Sequence, residues 1–182
     1  MPEFTVVSAS DVGALALLTQ YFADRETTFP PDQGEYRTTF PDPTQFLPPN
    51  GVFLLIGEAA HQSDGAEVAE IINEGCGGIR RIDDSPTGAV RYEIKHLFLR
   101  PEARGKGWGR LMLDELERRA REFGADELVL DTNASLAAAA SLYTSAGFQS
   151  IPPYNDNPNA THWYGKRLSD ADTGTGTAES RS

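Results

Sequence analysis

Apolar positions along this chain of 182 residues follow two different periods. Short apolar runs of strand length recur along the chain, and several stretches between them repeat every three to four residues, as an amphipathic helix does. The predicted strands are Phe4–Ser8, Gly51–Gly57, Val68–Ile72, Gly77–Ile82, Val90–Leu99, Leu128–Leu130, Phe148–Ile151 and Thr161–Leu168. Strands interleaved with helices favour an α/β or α+β fold, with a single sheet and helices on both faces.

The first of three predicted helices follows the first strand, with Ser10 or Asp11 as its cap. Its apolar positions are Leu15, Leu17, Leu18 and Phe22. Residues 23–50 then break the pattern with six prolines. They predict a long irregular segment, or one that holds a short helix, and such segments inside compact domains are often binding loops.

The second helix is predicted to begin at Arg110 and to stop at Gly124. Its apolar face consists of Leu113, Leu116, Ala120 and Phe123. The third helix is alanine-rich; it is predicted to be capped by Ser135, to run to Ala146 and to end at Gly147.

A switch of parity marks the predicted strand Val90–Leu99. Its apolar residues fall on even positions up to Ile94 and on odd positions from Leu97 onward. One inserted residue would produce this switch, so the pattern predicts a β-bulge. A strand that is buried on both faces from Leu97 onward is the alternative.

Composition bounds the class of protein. Apolar residues make up 39% of the chain and charged residues 24%, as in a soluble globular domain, and the net charge of −11 argues against non-specific nucleic-acid binding. The single cysteine, Cys76, excludes an internal disulfide and is expected to be a small buried residue. The histidines, His61, His96 and His162, lack the spacing of metal ligands, so no metal site is expected.

Domain organisation is expected to be simple. Residues 1–168 predict one domain, interrupted by a polar turn at His61–Ala66, and residues 169–182 predict a disordered polar tail. The N-terminus is not basic, and no apolar run approaches the roughly 18 residues of a membrane span. These features predict a cytoplasmic protein without membrane contact.

The most specific chemistry lies in the glycine-rich turn between the Val90–Leu99 strand and the second helix. The turn reads Arg104-Gly105-Lys106-Gly107-Trp108-Gly109, and Arg110 follows. Glycines let the main chain approach a ligand closely, and a helix N-terminus presents unbonded N–H groups. Three basic side chains add full charges, so the turn predicts a site for an anion, most plausibly a diphosphate.

Two familiar phosphate-binding motifs do not fit this turn. A P-loop needs a glycine where Arg100 stands and Ser or Thr where Gly107 follows Lys106. A dinucleotide-binding fingerprint that starts at Gly105 needs a third glycine where Arg110 stands. The pattern that does fit is Arg-x-x-Gly-x-Gly, from Arg104 to Gly109.

A second motif lies in the third helix, where residues 139–148 match Ala-x-x-Leu-Tyr-x-x-x-Gly-Phe. Together the two motifs resemble the GNAT superfamily of Gcn5-related N-acetyltransferases, over about 75 residues from Glu93 to Lys166. The resemblance implies one mixed, mostly antiparallel sheet, splayed at the cofactor site. It also implies acetyl-CoA as cosubstrate, held by the following residues: Leu97, Phe98, Leu99, Arg104, Gly105, Lys106, Gly107, Trp108, Gly109 and Arg110.

Two catalytic residues are implied by the same resemblance. Tyr143 corresponds to a tyrosine that faces the thioester sulfur, where it hydrogen-bonds or protonates the departing thiolate. Glu93 occupies the position of a general base in some relatives, and a base is needed because an alkyl amine with a pKa of about 10.4 is protonated at neutral pH. An ordinary solvent-facing glutamate is the alternative. The inferred bulge would turn the N–H of Leu97 towards the acetyl carbonyl.

The acceptor is expected to be a primary amine of a small molecule or a peptide, attacking the thioester directly in a ternary complex. Candidate acceptor-binding residues are Arg37, Phe40, Tyr154, Asn155 and Asp156, and Asp156 or Glu35 is the suggested partner of a cationic amine. Many relatives hold pantetheine with an asparagine where this chain has Leu136, and Asn133 or Ser135 are possible substitutes. A CoA-binding module without turnover, another acyl-CoA and a hydroxyl acceptor are left open, as is a homodimer.

Overall fold

The structure, a computed structural model, describes residues 1–60 and 71–168. Within these residues the strands are β1 Glu3–Val7, β2 Gly51–Ala59, β3 Ile71–Arg81, β4 Arg91–Leu99, β5 Glu127–Thr132, β6 Gln149–Ser150 and β7 His162–Arg167. They form one sheet in the order β1-β2-β3-β4-β5-β7-β6. Only β4 and β5 pair in parallel among the described strands, so the expectation of a mixed, mostly antiparallel sheet is confirmed.

β3 is one strand where the pattern predicted two. The turn predicted at His61–Ala66 and most of the strand predicted at Val68–Ile72 lie outside the described residues. Glycines interrupt the apolar pattern of β3, but the chain stays extended there because it pairs with β2 on one side and β4 on the other. Neighbouring residues pack closely at these glycines. A side chain at Gly75 would meet Leu99 at 2.4 Å, and one at Gly78 would meet the Phe46 ring at 2.8 Å.

Helix α1 spans Val12–Thr28, and its end differs from the prediction. Asp11 is the cap, since its carboxylate accepts from the N–H of Gly13 at 2.8 Å. The helix continues past Phe22 through the largely polar residues 23–28, and these show no apolar period from which the sequence could predict a helix. The irregular segment therefore begins at Phe29, and it contains two short 3-10 turns, Pro31–Gln33 and Pro43–Phe46.

Helix α2 spans Trp108–Glu122 and α3 spans Ala137–Ser145. α2 starts two residues before the predicted Arg110, directly after Gly107. The predicted cap of α3 is wrong: Leu136 takes the cap position without a side-chain hydrogen bond, and the N–H of Ser135 bonds to the Asn133 side chain at 3.0 Å.

Two apolar clusters cover opposite faces of the sheet. On one face, α2 and α3 pack on β2, β4 and β5 through a cluster centred on Met112, Leu113 and Leu116. On the other face, Leu17, Leu18 and Phe22 of α1 pack on β2, β3 and β4. Leu15 of α1, predicted on the apolar face, is 39% exposed. Helices thus lie on both faces, as predicted.

β4 carries the β-bulge that the parity switch predicts. Lys95 lies opposite Gly78 and Phe98 opposite Cys76, so His96 and Leu97 together face one residue of β3. His96 has a φ of 56°, in the left-handed region. Beyond the bulge, Leu97 and Leu99 pack against the α2 cluster, while Phe98 belongs to the α1 cluster.

Candidate active site

A cleft of about 1020 Å³ opens where β4 and β5 separate. The two strands pair only over Arg91–Glu93 and Glu127–Val129, and β5 then continues in pairs with β7. Residues 94–99 of β4 and 130–133 line the two walls of the cleft. The separation exposes main chain and side chains of both strands to one space, which is the splayed geometry expected from the resemblance.

The glycine-rich turn presents a row of free donors at the start of α2. Within the described residues, the main-chain N–H groups of residues 105–109 donate no hydrogen bond. Gly105 and Gly107 have φ values of 78° and 80°, and an added side chain at either would meet no atom within 4 Å. Five unbonded donors in open space, at the positive end of a helix, suit an anion.

The side chains of the turn are held differently from one another. Arg104 lines the cleft, and its Nε donates to the carbonyl of Leu99 at 3.0 Å. Lys106 lies over the Trp108 ring at 5.3 Å, and Arg110 pairs with Asp114 at 2.8 Å. The Trp108 side chain is buried in the core, so this residue can offer a ligand its main-chain N–H only.

Tyr143 of α3 lines the cleft and is only 7% exposed. Its ring packs near Phe148 and Tyr164, with centroids 6.1 Å away in each case. Burial raises the pKa of the Tyr143 phenol to about 12, although the positive charge of Arg25 opposes the shift. The phenol is therefore a hydrogen-bond donor throughout the physiological pH range.

Glu93 is buried in an ion-pair network and does not line the cleft. Its side chain is 1% exposed; Oε2 accepts from Arg80 at 2.8 Å, and Oε1 lies 3.1 Å from Nζ of Lys95. The Tyr154 hydroxyl also donates to Oε1, at 2.9 Å. The alternative of an ordinary solvent-facing glutamate is therefore wrong, and the assignment as general base stays a prediction.

Lys95 connects this network to the cleft. Its Nζ lies 3.1 Å from both carboxylate oxygens of Asp131, which lies on the cleft wall. Asn155 and Asn157 donate to the same carboxylate, at 2.6 and 3.1 Å. Charges alternate through Arg80, Glu93, Lys95 and Asp131, so the network is neutral. The sequence pattern predicted none of these contacts of Glu93, because strand order decides which residues face one another.

The predicted acceptor-binding residues reach the cleft only in part. Arg37, Phe40 and Asn155 line it, whereas Tyr154 contacts Glu93 behind it and Asp156 is exposed elsewhere. The sequence did not predict that hydrogen bonds from Asn159 join the loop of Asn155 to the segment of Arg37; we call this pair of bonds the tether. Asn159 accepts from the N–H of Arg37 at 2.9 Å and donates to its carbonyl at 2.8 Å.

Position 136 lines the cleft, but its leucine offers no polar group. Asn133, a suggested substitute for the usual asparagine, is engaged within the protein: its amide donates to Gln33 at 2.7 Å and to the carbonyl of Asn159 at 3.1 Å. Ser135 also lines the cleft, and its hydroxyl makes no hydrogen bond to the described residues. Of the two suggested residues, Ser135 is the one with a free polar group.

An aromatic wall closes the side of the cleft opposite α3. Tyr21, Phe22, Tyr36, Phe40 and His96 all line it. The rings of Tyr21 and Phe22 lie 5.7 and 5.6 Å from the His96 imidazole. Burial, with the nearby charges of Lys95 and Arg80, lowers the pKa of His96 to about 3, so this imidazole is neutral at physiological pH.

Two further findings concern the described residues alone. No helix among them is long and apolar enough to cross a membrane. No group of three or more acidic, histidine or cysteine side chains among them is placed to hold a metal ion.

Comparisons with known proteins agree with this geometry. Residues 19–148 match the model of the acetyltransferase (GNAT) family. An uncharacterized N-acetyltransferase of Schizosaccharomyces pombe is 41% identical over 114 residues, 63% of this chain and 61% of that protein. An IAA acetyltransferase of Azospirillum brasilense is 35% identical over 80 residues, 44% of this chain and 50% of that protein. The chain thus spans about half the length of these curated relatives.

Solved structures share the fold over almost the whole chain. A provisionally named acyl-CoA N-acyltransferase from Klebsiella pneumoniae is 27% identical with a TM-score of 0.65, covering 93% of this chain and 99% of that one. A GNAT-family acetyltransferase from Staphylococcus aureus has a TM-score of 0.66 at 18% identity, covering 92% and 100%. The match to the family model covers most of the chain, and it establishes that the chain belongs to the acetyltransferase (GNAT) family.

Proposed function

We propose that this protein transfers the acetyl group of acetyl-CoA to a primary amine by direct attack in a ternary complex. The observation that carries the proposal is one continuous cleft: Arg104 of the glycine-rich turn lines one part of it, Tyr143 its wall, and the Arg37 segment another part. A cofactor with a diphosphate and a long flexible arm matches that arrangement. An acceptor enters from the side of Arg37.

The cofactor end is suited to CoA by its main-chain donors. The five free N–H groups of residues 105–109 would bind the diphosphate oxygens, with Arg104 adding a full charge from the cleft side. Leu97, Phe98 and Leu99 line the cleft and would lie along the pantetheine arm. The bulge at His96 takes Leu97 out of the regular register, and its N–H would polarise the acetyl carbonyl as an oxyanion-hole donor.

Tyr143 would assist the departure of the thiolate by donating a hydrogen bond. Full proton transfer from a phenol with a pKa of about 12 to a thiolate with an ordinary pKa of about 8.5 is uphill by roughly 5 kcal/mol. Stabilisation of the thiolate by a hydrogen bond, with proton transfer late or incomplete, avoids that cost. This favours the hydrogen-bonding role over full acid catalysis.

The amine must reach the thioester without its extra proton. Asp24, Asp42 and Asp131, the carboxylates among the described residues of the cleft wall, each already accept a hydrogen bond from protein. We therefore propose that the free amine is drawn from solution or loses its proton to water. In this proposal Glu93 acts as a positioning residue that holds Lys95 and Arg80 beside the cleft, in place of the predicted role of general base.

An acyl-enzyme intermediate has no support from Cys76. This thiol is fully buried, and burial raises its pKa to about 12, so it is not a thiolate at neutral pH. The sulfur contacts the main-chain carbonyl of His96 at 3.5 Å. A structural role under the bulge follows from these contacts.

The experiment that tests the function is a mass-spectrometric screen of the protein with acetyl-CoA and a pool of primary amines. The proposal expects an acetylated amine and free CoA in equal amounts. CoA binding without any acetylated product would contradict the proposal and favour a non-catalytic CoA-binding module. Parallel reactions with succinyl-CoA and with hydroxyl acceptors test the other acyl-transfer alternatives.

A further inference from the structure

The cleft lacks the acidic excess of the molecule as a whole. The chain carries a net charge of −11, yet five cationic side chains and three carboxylates among the described residues line the cleft. The cations are Arg25, Arg37, Arg80, Lys95 and Arg104. Arg104 lies beside the glycine-rich turn and is accounted for by the cofactor, and Glu93, just behind the cleft, adds a carboxylate that pairs with Arg80 and Lys95.

Most of these charged side chains form ion pairs within the protein. Arg80 is bound to Glu93, and Lys95 is bound to Glu93 and Asp131. Arg25 donates to Asp24 at 3.1 Å. Asp42, at the exposed rim, accepts from Thr44.

One cationic side chain is left over. The guanidinium of Arg37 makes no hydrogen bond or ion pair to any described residue. Its main chain, by contrast, is held in both directions by Asn159. A fixed backbone with an unengaged guanidinium on a cleft wall is suited to bind an anion carried by a ligand.

Among the described residues, Asp42 is the one carboxylate of the cleft wall without a cationic partner, and it lies at the exposed rim. Glu35 and Asp156, the acidic residues that the sequence suggested for a cationic acceptor, do not line the cleft. A polyamine or an aminoglycoside would bring several positive charges beside Lys95, Arg80 and Arg37, with Asp42 as the one cleft carboxylate among the described residues that no cation already pairs. The cleft therefore disfavours acceptors with more than one cationic group.

The aromatic wall of the cleft, next to Arg37, is apolar. The rings of Phe22 and Phe40 lie 4.8 Å apart, and Phe40 is 47% exposed beside Arg37 in the same segment. Tyr36 continues this wall, 6.5 Å from Phe22. Such a surface binds a hydrocarbon or aromatic group by burial.

We propose that the acceptor is an amine that carries a carboxylate and an apolar group, as an apolar amino acid does, and that Arg37 binds the carboxylate. The proposal rests on the proposed function, because it names the substrate class of the same cleft. It separates free amino acids from decarboxylated amines, polyamines and peptide N-termini, in which the carboxylate near the amine is missing or converted to an amide.

Matched acceptors test the proposal. Acetyl transfer is measured for phenylalanine against phenethylamine and phenylalaninamide, for leucine against isoamylamine, and for spermidine and a phenylalanine-initiated peptide. A charge-assisted hydrogen bond at a partly exposed site predicts kcat/KM about tenfold higher for each amino acid than for its decarboxylated partner. Equal or greater kcat/KM for the decarboxylated amines, the polyamine or the peptide overturns the proposal.

Variants of Arg37 test whether this residue causes the preference for a carboxylate. Arg37→Gln should raise the KM for phenylalanine about tenfold and leave the KM for phenethylamine and the KM for acetyl-CoA unchanged. Arg37→Lys keeps the positive charge and should restore part of the loss. Arg167→Gln, an 82% exposed arginine at the other end of the chain, is the control. Equal kinetics for Arg37→Gln and wild type overturn the role of Arg37. Absence of transfer to every amine contradicts the proposed function itself.

Discussion

Tyr143 combines burial with a place on the cleft wall, and that combination decides its chemistry. Burial among Phe148 and Tyr164 keeps the phenol protonated, and the cleft gives its hydroxyl access to a ligand. The motif in the sequence identified the residue, because its spacing in a helix is local. The raised pKa comes from packing, and no local pattern carries it.

The Tyr143→Phe variant tests the hydrogen bond. It removes one hydroxyl and leaves the ring, so we expect kcat to fall about 10- to 100-fold with little change in the KM for acetyl-CoA or in the melting temperature. Steady-state kinetics and calorimetry measure these quantities. Tyr164→Phe, on a neighbouring ring, is the control; an equal loss of kcat in both variants would assign the effect to packing.

His96 gives stability a pH dependence whose sign follows from burial. Its pKa is about 3 in the folded protein and about 6.5 when unfolded, so the unfolded chain binds more protons between these values. The stability that the neutral imidazole contributes to the folded protein is complete above pH 6.5 and is lost as the pH falls towards 3. Lys95 and Arg80 act in the same direction, and Asp131 opposes them.

We therefore expect His96→Asn to flatten the pH dependence of unfolding. Asparagine tolerates the left-handed φ of 56°, so the bulge is kept. Between about pH 7.5 and 5 the wild type should lose roughly 1 to 2 kcal/mol more free energy of unfolding than the variant does. Urea denaturation at both pH values measures this. Parallel curves for wild type and His96→Asn would be inconsistent with a lowered pKa; His162→Asn, at an exposed histidine, should not differ from wild type.

At the scale of the elements, the glycine-rich turn and α2 form one unit. Gly107 precedes the helix in a left-handed conformation, and the free N–H groups depend on that path of the main chain. The turn was predictable because its glycines and the helix that follows are contiguous in sequence. The bulge in β4 was predictable for the same reason, since parity is a property of one strand.

Gly107→Ala should therefore impair CoA binding. A β-carbon at a φ of 80° costs about 1 kcal/mol and moves the N–H groups, so we expect the Kd for CoA to rise about tenfold. Gly88→Ala is a matched control, because Gly88 has a φ of 85° with no atom within 4 Å of an added side chain and lies in a turn away from the cleft. Titration calorimetry measures the Kd for CoA of both variants, and denaturation measures their free energy of unfolding. Weaker CoA binding in both variants would mean that lost stability explains the effect.

Other elements escaped prediction for identifiable reasons. The last turn of α1 is polar and therefore shows no apolar period, although threonine hydroxyls bond back to its main chain: Thr27 to Ala23 and Thr28 to Asp24, at 2.8 and 2.7 Å. The glycines of β3 suggested a break, yet Leu99 and Phe46 fill the space above them. In α1 the contacts are local but polar, so an apolar pattern does not register them, whereas in β3 they come from residues distant in sequence.

At the scale of the whole molecule, the cleft depends on contacts between distant parts of the chain. Asn159 joins the loop before β7 to Arg37 of the segment after α1, 122 residues away. Asn133, after β5, adds a hydrogen bond to Gln33 of the same segment. These contacts hold the acceptor side of the cleft in place.

Asn159→Ala should loosen that segment without unfolding the sheet. Loss of both hydrogen bonds predicts about tenfold faster amide hydrogen exchange at Arg37, with exchange in β2 and β5 unchanged. Mass spectrometry of deuterated peptides resolves the two regions. Asn50→Ala, whose side chain makes no hydrogen bond to the described residues, is the comparison. Unchanged exchange at Arg37 would show that the tether does not hold the segment.

The sequence by itself determined what is encoded by neighbours along the chain: the interleaved strands and helices, the bulge in β4, the glycine-rich turn and the place of Tyr143 in its motif. Only the tertiary structure decided which charges meet. Glu93 is buried beside Arg80, Lys95 and Tyr154, and the guanidinium of Arg37 has no partner in the part of the chain that the structure describes. Electrostatic free energy depends on distance in space and on burial, and strand order, which sets both, follows from packing of the whole domain.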